Sequence, residues 1–125
     1  LDNFKNLNDS LGHLAGDQAL VDVANVLKNS FCDDAIISRF GGDEFVVFVK
    51  NIQDIKLFNR LISRLLQQLD LYYQSEKDQI NIQASIGIAL APIDGRDMNT
   101  LYLKADKALY QAKEGGKNRY KYYNN

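Results

Sequence analysis

Arg39-Phe40-Gly41-Gly42-Asp43-Glu44-Phe45 joins two runs of β-forming residues, Ile36-Ile37-Ser38-Arg39-Phe40 before it and Phe45-Val46-Val47-Phe48-Val49 after it. Gly-Gly between such runs predicts a hairpin over residues 36 to 50, because glycine alone takes positive φ at both central positions without steric cost. Asp43 and Glu44 follow the glycines directly. A tight turn requires glycine but has no need of adjacent acids. Two carboxylates on a rigid tip, beside backbone bare of side chains, suit a hard metal ion carrying phosphate. By composition alone, a solvated turn reads the same way.

On both sides of the hairpin the hydrophobic period becomes helical. Residues 16 to 31 place Leu20, Val23, Ala24, Leu27 and Phe31 on one face, and residues 54 to 73 do the same with Ile55, Phe58, Leu61, Ile62, Leu65, Leu66 and Leu69. Spacing of this kind predicts amphipathic helices whose leucines pack the core. Residues 79 to 90 alternate strictly through Ile80, Ile82, Ala84, Ile86, Ile88 and Leu90, which predicts a strand. A third helix is expected over 98 to 114, with Leu101, Ala105, Ala108, Leu109 and Ala112 inward and Gly115-Gly116 at its end. Residues 118 to 123 read as a short last strand. The expected order is (β)αββαβαβ, an α+β fold with a mixed sheet, helices packed on it and the hairpin at its centre.

Composition narrows the class without naming a function. The 125 residues suffice for one domain with a core, and 15 basic against 16 acidic side chains leave a net charge of −1. That balance gives no basic footprint for nucleic acid. Apolar runs are too short for a membrane span or a signal-peptide core, and the lone Cys32 fits a reducing compartment, so a cytoplasmic domain without membrane contact is expected. A P-loop sequence is absent. One His and one Cys leave little from which to build a zinc site or a Ser-His-Asp triad.

Gly41-Gly42-Asp43-Glu44-Phe45 is letter for letter the signature of the GGDEF family of diguanylate cyclases, and the chain resembles that family in order from end to end. Asp2-Asn3-Phe4-Lys5-Asn6-Leu7-Asn8-Asp9 is similar to the family's Asp-x-Phe-Lys-x-x-Asn-Asp segment. Gly12-His13 and Gly16-Asp17 match its Gly-His-x-x-Gly-Asp. Ala84-Ser85-Ile86-Gly87-Ile88-Ala89 resembles the strand after the second long helix, and Asp106 through Asn118 resembles the closing helix and basic loop. The resemblance implies a palm-like, ferredoxin-type sheet. It also implies condensation of two GTP into cyclic di-GMP with Mg²⁺ or Mn²⁺, across a pair of GGDEF domains, since one domain offers one GTP site.

The resemblance further implies roles for individual residues. Asp43 holds the metal with the main-chain carbonyl of Leu1, and Glu44 serves metal or proton work; which of the two acids assists deprotonation stays open. Lys5 joins them among the catalytic positions. Asn8 and Asp17 read guanine, His13 shapes the nucleotide pocket, and Phe4, Gly41 and Gly42 line it. Asp17 reads equally as a helix cap. Lys113 and Lys117 neutralise the β- and γ-phosphates. Lys117 stands where the family usually has Arg, exchanging a bidentate fork for a point charge. Cys32 and Ala35 stand where many members carry the Arg and Asp of an inhibitory product site, so no such site is expected.

A metal-binding Asp immediately upstream of Leu1 would complete the family's pattern. The chain is accordingly expected to be a GGDEF domain, residues 1–125, truncated at its first strand within a longer protein. An upstream sensory domain and a C-terminal EAL domain are its expected neighbours. A catalytically silent GTP-binding module that regulates an attached domain is the alternative to an active cyclase.

Overall fold

A computed structural model gives the fold and describes residues 1–124. The chain forms two compact units, one of Leu1 with Asn3–Gln83 and the other of Asp2 with the residues from Ala84 onward. The α+β arrangement expected from the sequence is the one adopted. Among the described residues, the strands hydrogen-bond as three pairs.

In the first unit, helices α1 (Phe4–Leu11) and α2 (His13–Phe31) precede a 3-10 turn at Cys32–Asp34. The hairpin follows as β1 (Ala35–Gly41) and β2 (Glu44–Val49). Then come α3 (Ile55–Gln68), β3 (Leu71–Gln74) and β4 (Gln79–Ile82), the last two antiparallel. Leu7, Ala19, Ile80 and Ile82 form one buried cluster, with Leu1, Phe4, Leu11, Ala15, Leu71 and Tyr73 packed against it. Burying side chains the size of Leu7 or Ile82 contributes roughly 1.5–3 kcal/mol each. Along α2 and α3 most of the expected faces are inward, with Val23, Leu27, Phe31, Phe58, Ile62, Leu65 and Leu69 buried, while Ile55, expected on the same face, is exposed in the first turn of α3.

Local chemistry explains where these elements begin and end. Gly12, at φ 91°, ends α1 and starts α2, so the helix expected from residue 16 opens three residues earlier at His13, and α1 is a further helix that the expected order lacked. Asp54 caps α3 by accepting from the backbone N–H of Lys56 at 2.9 Å. The expectation of helix to residue 73 is corrected. The α3 helix closes at Gln68, and Leu71-Tyr72-Tyr73 pair with Ile82-Asn81-Ile80 instead. Aromatic residues favour such a half-buried pleated setting. Tyr73 donates to Asp22 Oδ2 at 2.5 Å, and burial first, then that carboxylate, raises its phenol pKa well above the usual value.

The second unit is a βαβ element: β5 (Ile86–Ile88), α4 (Met98–Glu114) and β6 (Tyr120–Tyr122), with the two strands parallel. The alternating stretch 79 to 90 is therefore two strands, separated at 83–85. Asp97 caps α4, accepting from Thr100 N at 2.9 Å, and these bonds to Thr100 hold its carboxyl below the ordinary range. Gly87 lets α4 close on the strand: a Cβ there would lie 2.1 Å from Ala105 O and 2.4 Å from Leu109 N. Among the described residues no helix is long and apolar enough to cross a membrane.

Candidate functional site

At the hairpin tip, Gly41 pairs with Glu44, and Gly42 with Asp43 makes the two-residue loop. The positive φ angles fall on Gly41 (127°) and Gly42 (46°). This corrects the expectation that the two glycines are themselves the central pair: Gly41 closes the ladder, and Asp43 occupies the second loop position. The register shifts between Arg39 and Gly41, which bulges the strand at Phe40. Arg39 Nε donates to Gly42 O at 3.0 Å and pins the loop from outside. Asp43 is thereby held on the tip with a partly exposed carboxylate, and Glu44 begins β2 half-buried.

Leu1 lies against this tip. Its backbone nitrogen donates to Asp43 O at 3.0 Å. This contact is made through the Leu1 nitrogen, whereas the sequence reading assigns the Leu1 carbonyl to the metal. Among the described residues no group of three His, Cys, Asp or Glu side chains is placed to hold a metal. Asp43, with Glu44 next to it in sequence, is a sparse and open pair of oxygen donors. Such a set fits magnesium, which keeps waters and takes most of its remaining ligands from phosphate.

Asn8 packs against Gly16, the residue before Asp17. Asn8 closes α1, where its carbonyl accepts the Gly12 N–H at 2.9 Å. Its side chain folds over the first turn of α2, so that a Cβ on Gly16 would sit 1.8 Å from Asn8 Oδ1. Asp17 is the next residue and is exposed. It caps no helix: α2 starts from Gly12 without a side-chain cap, which removes the alternative reading of Asp17 as a cap. Lys5 and His13 are exposed, on α1 and at the start of α2, while Phe4 packs partly against the core.

In the second unit, Lys113 and Lys117 flank the C-terminus of α4. The loop turns back there, with Gly116 N donating to Lys113 O at 3.3 Å and Lys117 N to Ala112 O at 3.1 Å. Cations are favoured at that negative end of the helix dipole. Gly116, Lys117 and Asn118 all have positive φ, at 119°, 63° and 48°. Cys32 is exposed in the 3-10 turn and Ala35 opens β1, so neither inhibitory-site position carries a charged side chain.

Three residues that shape these places are missing from the sequence reading. Gly16 had a signal: glycine inside a helical pattern costs about 1 kcal/mol and points to close packing. Arg39 carried no signal beyond its place beside the glycines. Asp2, the only charged side chain buried among the described residues, accepts from Ser85 Oγ and from the backbone N–H of Asn118.

Comparison with known proteins identifies the family. The sequence profile of the family described as "Diguanylate cyclase, GGDEF domain" matches residues 1–119. The cyclic di-GMP phosphodiesterase PdeR of Escherichia coli K12 is 40% identical over 120 residues, covering 96% of this chain and 18% of PdeR. The bifunctional diguanylate cyclase/cyclic di-GMP phosphodiesterase MucR of Pseudomonas aeruginosa is 37% identical over 123 residues, covering 98% of this chain and 18% of MucR. A solved EAL/GGDEF domain protein from M. capsulatus superposes with a TM-score of 0.85 at 36% identity, over 100% of this chain and 81% of that one. The fold and the glycine hairpin with its paired acids define a domain of the diguanylate cyclase type. The chain belongs to the GGDEF family. It spans less than a fifth of the length of PdeR and of MucR.

Proposed function

We propose that the domain binds GTP and, facing a second GGDEF domain, joins two GTP molecules into cyclic di-GMP. The observation that carries this reading is the pinned glycine hairpin tip, which holds Asp43 partly exposed with Glu44 next to it in sequence, while the Asn8 side chain folds over Gly16, the residue before Asp17. Guanine offers N1–H and N2–H₂ donors to the Asp17 carboxylate, and the Asn8 amide serves remaining polar groups. Adenine would face Asp17 with a lone pair and no 2-amino group. Leaving such groups unpaired discriminates strongly between bases.

In the reaction a ribose 3′-hydroxyl attacks the α-phosphorus of the facing nucleotide. Its proton leaves to a base, the P–O bond to pyrophosphate breaks, and the same step in the opposite sense closes the ring. Asp43, with Glu44 and the Leu1 carbonyl, would hold a divalent ion, which supplies charge neutralisation at the phosphoryl oxygens. Lys5, Lys113 and Lys117 offset charge on the β- and γ-phosphates. The domain would sit in a longer protein beside sensory or EAL-type domains, as the size of its relatives suggests.

A silent GTP-binding module is the second reading, favoured by Lys117 in place of Arg and by a relative named for phosphodiesterase activity alone. Incubation of the full-length protein with GTP and Mg²⁺, followed by chromatography for cyclic di-GMP, separates the two. Product is expected from the native protein and none from Asp43→Ala. GTP binding without product would select the silent module, and normal turnover by Asp43→Ala would remove Asp43 from the site.

A further inference from the structure

Asp2 lies deep in the second unit at 6% exposure, where a carboxylate persists only when its lone pairs are used. They are used by two partners. The Ser85 hydroxyl stands 2.9 and 2.8 Å from its two oxygens, and the Asn118 backbone N–H donates to Oδ2 at 3.1 Å. The second contact falls on an unusual piece of backbone. Lys117 and Asn118 are consecutive non-glycine residues with positive φ, a conformation costing of order 1–2 kcal/mol at each. Something must hold them there.

The loop has three such restraints. Lys117 N is tied to Ala112 O, Arg119 Nε donates to Lys117 O at 3.1 Å, and Asp2 holds Asn118 N. The first two join the loop to itself or to the helix it leaves. Asp2 alone among the three comes from a distant part of the sequence, and it is the only one that is charged and buried.

We propose that Asp2 is the positioning residue of the basic loop: its carboxylate fixes residues 116–118 so that Lys117 is presented to the nucleotide triphosphate. Asp2 touches neither substrate nor metal and acts through the Asn118 amide. This rests on the GTP reading above. A point-charge lysine in place of an arginine fork makes such positioning matter more, because Lys117 has no planar geometry of its own to set its contacts.

Two measurements on the native chain, Asp2→Ala and Asp2→Asn test it. Hydrogen exchange at the Asn118 amide reads the loop without any nucleotide. Calorimetric titration with GTP and with GMP reads whether the loss falls on the terminal phosphates. Exchange at Asn118 should accelerate at least tenfold in Asp2→Ala. GTP affinity should fall about tenfold, while GMP affinity stays within about twofold. Asp2→Asn keeps one side-chain oxygen and the shape of the residue, so it should lie between native and Asp2→Ala on both readouts and guards against simple misfolding. Unchanged Asn118 exchange would overturn the proposal, as would equal losses for GTP and GMP. Faster exchange with native GTP affinity would also overturn it. A native chain that binds neither nucleotide would remove the GTP reading and this proposal with it, whatever the exchange shows.

Discussion

Gly16 is where, under the proposed function, a single missing methyl group bears on nucleotide binding. The atom that a Cβ would strike is Asn8 Oδ1, the far end of a side chain that can swing away, so Gly16→Ala need not disturb the fold. Helix propensity even favours alanine by about 1 kcal/mol. The Asn8 amide, however, would be displaced from its place over Gly16. Gly16→Ala is therefore expected to keep its thermal midpoint within a few degrees and lose about tenfold in GTP affinity, the worth of about one hydrogen bond. Native GTP affinity in the variant would show that Asn8 does not read the base. Asp17→Ala gives the companion measurement, since it should weaken GTP far more than ATP.

At the scale of elements, the parts legible in the sequence are those whose cause is local. The hairpin was readable because positive φ needs glycine at residues 41 and 42, and the faces of α2, α3 and α4 because 3.6-residue spacing is written in the chain. β3 was not readable. Leu71 continues the leucine rhythm of α3, and only pairing with Ile80 and Ile82 turns Leu71–Gln74 into a strand. Asp2 was hidden for the same reason at longer range, since its partners lie 83 and 116 residues away. Gly87 shows how an element contact can rest on one position. The atoms crowding a Cβ there are backbone of α4, which cannot swing aside. Gly87→Ala should destabilise by about 1–3 kcal/mol, lowering the thermal midpoint by roughly 5–15 °C in a scan followed by circular dichroism. A native midpoint would mean that β5 and α4 part easily.

For the whole molecule, chemistry sets a requirement that no single domain meets. Cyclic di-GMP contains two nucleotides, each attacked by the other, and under the proposed function one domain presents one. On that reading two domains must face each other, and among the described residues no helix carries a sustained heptad seam to force that pairing. The domain on its own is expected to be mainly monomeric and slow, while segments that bring two copies together would raise the effective concentration of the partner site. Its specific activity should therefore rise with protein concentration over the micromolar range. Product should act differently here than in family members that carry the Arg and Asp of the inhibitory site. Cys32 and Ala35 at those positions offer neither a guanidinium nor a carboxylate, so micromolar cyclic di-GMP should leave the rate largely unchanged. Rates measured across a dilution series, with and without added product, test both points. Activity independent of concentration in a strict monomer would remove the facing-domain requirement. Strong non-competitive inhibition would show that product binds a surface other than the one these two residues define.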